Sequence, residues 1–324
     1  MTHKEIAQIA NVSVSTVSKA LSGSKEVSEE LASEIRRIAI EIGYFKNKNK
    51  RKIESILPEH IRVAIICPEI ISIFYSRCVE MLKSEIEDRG GSVIVHISDF
   101  GRDNVNKMID DIVIKGDAEG VIVLKEPGRV CENIPIVVFG DSQTVGSVGV
   151  VYNSIDLLMN YLYELGHRKI GYAGEFYTVD KNNHFIKFLD KYGLEYNPDY
   201  CIITDKRFEK SGFLAAKKYL ESEDRPTAII AAYDEIALGM IFELKRNGIR
   251  IPEDVSIVGI DDIPYASYSQ PPLTTVRLYG EERCRMAVNM LYDKIFGDSD
   301  TIQHVFGENK LIVRDSAAPP RKED

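Results

Sequence analysis

Two rhythms of apolar residues run along this 324-residue chain, and one replaces the other near residue 60. Before that point apolar positions recur at helical spacing. Ile6, Ala7, Ile9 and Ala10 make one short face, Val17, Ala20 and Leu21 a second, and Leu31, Ile35, Ile38, Ala39 and Ile42 a third. Thr2 and Glu5 stand at capping-box spacing, and Ser13 and Ser28 can accept the first free amides of the helices that follow. Asn11, Gly23 and Gly43 tolerate the left-handed turns that would end each helix. The prediction is three short helices joined by tight turns, the arrangement of a helix-turn-helix unit.

From residue 61 the rhythm changes to short, wholly apolar runs alternating with amphipathic stretches. IRVAIIC (61–67), SVIVHIS (92–98), GVIVL (120–124) and PIVVF (135–139) occupy one half. RKIGYAG (168–174), CIIT (201–204), TAIIAA (227–232) and VSIVGI (255–260) repeat the scheme in the other. Runs this short and this apolar are strands covered on both faces by helices, which implies parallel sheets. Two such halves predict an α/β body of two lobes, with a ligand cleft at the strand carboxyl ends.

Composition narrows the function. No run of about 18 apolar residues suggests a membrane span, and the N-terminus has no signal-peptide pattern. Cys67, Cys78, Cys131, Cys201 and Cys284 are odd in number and scattered, with no CxxC or Cys/His cluster, so neither disulfides nor a metal site are expected. A reducing cytoplasm fits. The net charge is −9, but residues 1–60 carry ten Lys/Arg against eight Asp/Glu, a net of +2, and the rest a net of −11. That is the asymmetry of a protein whose small domain alone touches phosphates. No GxSxG, GxxxxGK[ST], HExxH or GxGxxG motif is correctly placed, so no enzyme and no cofactor are expected.

The second predicted helix carries the chemistry. Its unburied face shows Ser13, Val14, Ser15, Thr16, Ser18 and Lys19. Short hydroxyls and a helix N-terminus suit phosphate contact. Val14 can pack on a thymine methyl, Ser15 can donate or accept, and Lys19 can reach guanine O6/N7. A Ser-rich solvated helix in an ordinary three-helix bundle would look the same, so the face alone leaves both readings open.

EIAQIANVSVSTVSKALSG followed by VSEE and IGY resembles the head of the LacI/GalR family of bacterial transcription repressors. LYELGHRKIGYAG, RPTAIIAAYDEIALG, IPEDVSIVGIDDIP, PPLTTVR and KLIVRDSAAPP extend the resemblance to Pro320. It implies a helix-turn-helix head over 1–44, a linker over 45–60, and a periplasmic-binding-protein-like effector and dimerisation body over 61–324. Within the body it implies an N-lobe of about 61–152 and 276–302 and a C-lobe of about 153–275 and 303–320. It also implies a homodimeric repressor that binds double-stranded operator DNA and a small-molecule effector, preferably sugar-like. The runner-up is a small-molecule-binding protein with a weakened DNA-binding head.

The resemblance assigns Val14, Ser15 and Lys19 to base reading, and Ser13, Thr16 and Ser18 to phosphate contact or support. In the linker, Ile53 falls where the family inserts an apolar wedge into the minor groove. Lys48, Lys50 and Arg51 would bind phosphates. Lys46 replaces a usual Pro, and Asn49 and Lys50 replace apolar residues, so the expected linker is flexible and basic without DNA. The effector positions are Ser72, Phe74 and Tyr75, then Asp141 and Tyr152, then Lys181, Tyr233 and Asp261. Asp261 and Asp141 retain acids suited to sugar hydroxyls. Phe74, Tyr75, Tyr152 and Tyr233 trade part of the hydrogen-bonding capacity for aromatic faces, which suit a sugar, a nucleoside or another planar metabolite.

Overall fold

The computed structural model describes residues 2–45, 60–125, 127–129, 131–139, 147–150, 153–278, 280–297 and 304–321. Lys48, Lys50, Arg51 and Ile53 of the linker, and Asp141 and Tyr152 of the expected effector site, lie outside them. The chain divides into two compact units, Met1–Gly149 with Gly280–Gly307 and Val150–Tyr279 with Glu308–Asp324.

The first unit opens with three helices, α1 (His3–Ile9), α2 (Val14–Leu21) and α3 (Glu29–Glu41). Each starts where a side chain relieves the free amides of the first turn. Glu5 takes the Thr2 backbone N–H at 2.6 Å, Ser13 Oγ takes the Thr16 N–H at 3.0 Å, and Ser28 Oγ takes that of Leu31 at 3.4 Å. Asn11 turns the chain at φ 53°, as its position between two helices requires. Ile6, Val17, Ala20, Ile35 and Ala39 close the core of the three helices.

α3 differs from expectation on one side. Ile40 is buried, whereas Leu31 and Ile42 are only half-buried. The reason is a second contact: the buried Asn133 side chain donates from Nδ2 to the Ile40 carbonyl at 3.1 Å. Phe45, expected at the start of the linker, is buried in the same apolar cluster.

The rest of this unit is a six-stranded sheet. Its strands are β1 (Arg62–Cys67), β2 (Ser92–Ile97), β3 (Gly120–Val123), β4 (Ile136–Phe139), β5 (Ser147–Val150) and, late in the chain, β11 (His304–Gly307). The order is β11-β5-β4-β3-β1-β2, with β2, β1, β3, β4 and β5 paired in parallel. Alternation along the central strands sends side chains to two different cores. Val63, Ile65, Ile122 and Val137 face α4 (Ile73–Glu87) and α10 (Gly280–Phe296), meeting Leu82, Ile86, Val288 and Leu291. Ala64, Ile66, Val121 and Val138 share the opposite cluster with Val105, Ile109 and Ile112 of α5 (Arg102–Lys115) and with the head's apolar residues. SVIVHIS, expected to be buried, is instead the edge strand β2, and Val95 and Ile97 are 40% and 41% exposed.

The second unit repeats the plan with β6 (Ile170–Glu175), β7 (Cys201–Thr204), β8 (Ala228–Ala231), β9 (Ser256–Ile260) and β10 (Thr274–Arg277). The order is β12-β10-β9-β8-β6-β7; all pairs are parallel except β10 with the edge strand β12 (Lys310–Ile312). The strand β12 and its antiparallel pairing are additions to the expected parallel sheet. Helices α6 (Ser154–Glu164), α7 (Val179–Lys191), α8 (Phe208–Glu221) and α9 (Asp234–Arg246) complete it. In each sheet the chain goes from one central strand outward, then crosses back to build the other side. The switch points are β1/β3 and β6/β8, and loops leaving them at their carboxyl ends are where ligands of such sheets bind.

Two glycines let α8 and α9 touch along their backbones. A methyl on Gly212 would strike the Ile236 carbonyl oxygen and lie 2.6 Å from the Met240 nitrogen, and one on Gly239 would strike the Glu209 carbonyl oxygen. In an exposed helix Gly→Ala stabilises by up to about 1 kcal/mol. Here Gly212→Ala should destabilise by about 3 kcal/mol because the helices must part. Urea unfolding followed by circular dichroism checks this; a midpoint equal to or above that of the wild type contradicts the backbone contact.

Candidate DNA-reading and ligand-sensing sites

Helix α2 buries Val17 and Ala20 and turns its other side outward. Ser13, Val14, Ser15 and Ser18 are exposed there, Thr16 and Lys19 half-buried. Ser13 Oγ holds both the Thr16 amide and, at 2.8 Å, the Thr16 hydroxyl, so these two residues cap the helix from within. Val14 and Ser15 therefore project from a fixed first turn, and Val14 is 43% exposed despite being apolar. Lys19 Nζ lies 2.5 Å from Glu26 Oε2, in the turn before α3. Sequence reading missed Glu26 because its charge carries no periodic signal.

At the carboxyl ends of β6, β7 and β8 a second group of side chains converges. Glu175, the last residue of β6, is buried and accepts the Tyr177 backbone N–H at 2.8 Å. Tyr233 accepts the Phe208 N–H at 3.0 Å and turns its own hydroxyl toward Glu175 Oε1 at 3.5 Å. Burial pushes the Tyr233 phenol well above its ordinary pKa, so it stays a neutral donor. Arg207 Nε stands 3.6 Å from Glu175, and its guanidinium lies 4.5 Å from the Phe208 ring centre and 5.2 Å from that of Tyr177. Phe208 adopts φ 55°, a left-handed conformation costly for an aromatic residue. Lys181 Nζ donates to the Ala232 carbonyl at 2.7 Å, which brings Lys181 and Tyr233 to one rim. Of this cluster the sequence indicated Lys181 and Tyr233. Glu175, Arg207 and Phe208 were missed, since the expected strand stopped at Gly174.

Three acids after β8 and β9 have separate tasks. Asp262 accepts Arg277 Nε and Arg314 Nη2, each at 2.6 Å, and is a structural anchor. Asp234, fully buried at the start of α9, accepts the Ile263 N–H at 2.9 Å and the Thr275 hydroxyl at 2.6 Å. It fixes the loop that follows β9. Asp261 lies between them at φ 113°, its N–H donated to the Val276 carbonyl at 2.9 Å.

In the first unit Ser72 is buried just ahead of α4, and its carbonyl accepts both the N–H and the hydroxyl of Ser76. Phe74 and Tyr75 meet edge to face at 5.1 Å, and Tyr75 meets Phe100 at 6.2 Å. Both rings pack partly on the core that α4 and α10 cover.

Comparison with known proteins places both parts. Residues 2–47 match the profile of bacterial regulatory proteins of the lacI family, and residues 159–317 that of the periplasmic binding protein-like domain. The chain thus joins a lacI-type DNA-binding domain to a periplasmic-binding-protein-like domain. It is 28% identical to the HTH-type transcriptional repressor CytR of Escherichia coli K12, over 96% of this chain and 93% of that one. It is 26% identical to the ribose operon repressor of Haemophilus influenzae, over 97% and 98% of the two chains. The lac repressor dimer bound to operator and the anti-inducer ONPF has a similar fold, with TM-score 0.72 at 21% identity over 98% of this chain and 99% of that one. The regulator CelR in complex with cellobiose follows at TM-score 0.68 and 24% identity, over 98% and 100%.

One acid of this periplasmic-binding-protein-like body should leave a pH signature. Burial, and then the charge of Asp261, holds the Asp234 carboxyl well above the usual carboxylate range. The native chain keeps this proton where the unfolded chain has lost it, at pH above about 4. The native advantage is complete below that pH and is lost as pH rises through the native value. The melting temperature of Asp234→Asn relative to wild type should therefore climb between pH 4 and 7. Parallel pH profiles would contradict the assignment.

Proposed function

We propose that this chain is a LacI-family, sequence-specific transcriptional repressor of the cytoplasm whose operator affinity is set by a small ligand, a sugar or sugar derivative. The observation that carries the reading is the exposed first turn of α2. Val14 and Ser15 are held out by the Ser13–Thr16 cap, with Lys19 one turn on, in a lacI-type head attached to a periplasmic-binding-protein-like body. The domain division proposed is the head over 1–44, the linker over 45–60 and the effector body over 61–324. The chain acts as a homodimer on duplex DNA with half-sites about one helical turn apart. It catalyses no reaction: its relatives are named as repressors.

In the head, Val14, Ser15 and Lys19 read bases, and Ser13, Thr16 and Ser18 hold the backbone. In the body, Asp261 takes ligand hydroxyls, on a loop that Asp234 and Asp262 hold in place. Tyr233 and Lys181 line the same rim, with Glu175 and Arg207 behind them. The sugar class is supported by Asp261, by the cellobiose bound to CelR and by the ribose operon repressor among the relatives.

Selection of preferred sites from a randomised duplex library tests the DNA-reading claim. Lys19→Ala should relax the preference at one base pair of each half-site, costing about 1–3 kcal/mol on the preferred sequence. A loss uniform across all sequences would assign Lys19 to phosphate. For the ligand, sugars, nucleosides and sugar phosphates are screened by the melting temperature they confer, which rises as ligand exceeds its dissociation constant. Asp261→Ala should lose the shift given by the best wild-type ligand while still binding the selected DNA; an unchanged shift removes Asp261 from the site.

A further inference from the structure

Lys19 does not stand alone on the reading face. A closed ring of contacts ties it to the turn ahead of α3. The Ser24 N–H donates to the Lys19 carbonyl at 2.9 Å, and the Ser22 hydroxyl donates to the same carbonyl at 3.1 Å. The Glu26 N–H donates to Ser24 Oγ at 3.3 Å, and the Lys19 ammonium closes the ring on Glu26 Oε2 at 2.5 Å. Both side chains remain substantially exposed, 44% for Lys19 and 68% for Glu26. So the pair is presented to solvent, and the turn fixes both ends of it.

A carboxylate here is costly for a DNA-binding face, since phosphates repel it. The described head, residues 2–45, holds five Lys/Arg against six Glu, a net of −1, so it has no excess of cations to mask that repulsion. Lys19, Arg36 and Arg37 are each paired with a glutamate of the head. The exposed pair contributes little to folding stability, as surface ion pairs do. Its effect on recognition is another matter. A lone lysine is a mobile point charge that any acceptor on any base attracts. Held against Glu26, the ammonium is confined, and a carboxylate acceptor stands beside it.

A G·C pair presents the matching couple in the major groove: guanine O6/N7 accepts, and the cytosine N4 amine beside it donates. We propose that Glu26 is a specificity-determining residue, which positions Lys19 and pairs with it to read one G·C base pair in a fixed orientation. Lys19 donates to guanine and Glu26 accepts from the cytosine amine. At a C·G or an A·T pair the order is reversed, so both charges face groups of their own kind; a T·A pair keeps the O4/N6 order but puts a methyl where guanine N7 accepts, and Glu26 still repels the backbone. The carboxylate thus lowers binding to wrong sequences more than to the right one.

The proposal rests on Lys19 as a base-reading residue, and the experiment separates the two. The full chain, Glu26→Gln, Lys19→Gln and the double variant each select sites from the same randomised duplex library. Binding to the wild-type site and to an unrelated duplex is then measured across salt concentration. Glu26→Gln should lose on the order of tenfold discrimination at the base pair that Lys19→Gln also relaxes. It should bind unrelated DNA more tightly, with a salt slope steeper by about 0.9. The double variant should be no less discriminating at that pair than Lys19→Gln. If Lys19→Gln changes no base preference, the reading of Lys19 fails. If Lys19→Gln relaxes a pair and Glu26→Gln leaves that pair and the salt slope unchanged, Glu26 is only a turn stabiliser and the proposal is overturned.

Discussion

The central strands β1, β3 and β4 of one sheet and β6, β8 and β9 of the other are covered on both faces, and much else follows from that constraint. Val63 and Ile65 look one way and Ala64 and Ile66 the other, and each set is sealed by a different layer. Burying each such Val or Ile contributes about 1.5–3 kcal/mol, so the sheet cannot leave either face wet. Parallel strands need helical crossovers to supply those covers. The crossovers reverse direction at β1/β3 and at β6/β8, and such switch points are where ligands of open sheets bind. The sites on the body are thus a by-product of how the core is closed. Glu175, Arg207, Tyr233 and Asp261 all follow the ends of buried strands.

Charge is used differently in the two parts of the chain. In the body, buried acids are committed to backbone amides and arginines, which satisfies them and fixes the loops. Asp234 and Asp262 both do this work on the loop that carries Asp261. In the head, charges stay at the surface and pair with one another, where they add little to stability. In our proposal one such pair, Lys19 with Glu26, sets which DNA sequence is accepted. A small apolar core and three internal caps hold the head's helices, and Ser13 supplies the cap at the first turn of α2, where Val14 and Ser15 are exposed.

Most of the architecture was legible in the sequence, because it rests on local rules. The caps at Thr2, Ser13 and Ser28 and the turn at Asn11 follow from short-range hydrogen bonding and backbone sterics. The apolar runs announced the strands. What stayed hidden depends on distant partners. SVIVHIS has the composition of a buried strand, and only the sheet order makes it an edge. The Ile40 carbonyl is bonded by Asn133, some ninety residues away in the chain, and Phe45 joins an apolar cluster that the head shares with the sheet. Tyr233 and Lys181 were visible through resemblance, but Glu175 and Arg207 join them only once three strand ends are brought side by side. Adjacent Asp261 and Asp262 look equivalent in sequence; two arginines from β10 and from beyond β12 tell them apart.

The central claim is that one chain reads DNA with its head and a small ligand with its body, and that the two events are coupled. The most direct measurement is a pair of titrations by fluorescence anisotropy and calorimetry. The dissociation constant of the selected operator is measured with and without saturating ligand. That of the ligand is measured with and without saturating operator. Coupling requires the two ratios to be equal and different from one, typically by about 5–150-fold. Two ratios of one, with both partners bound, would contradict the account.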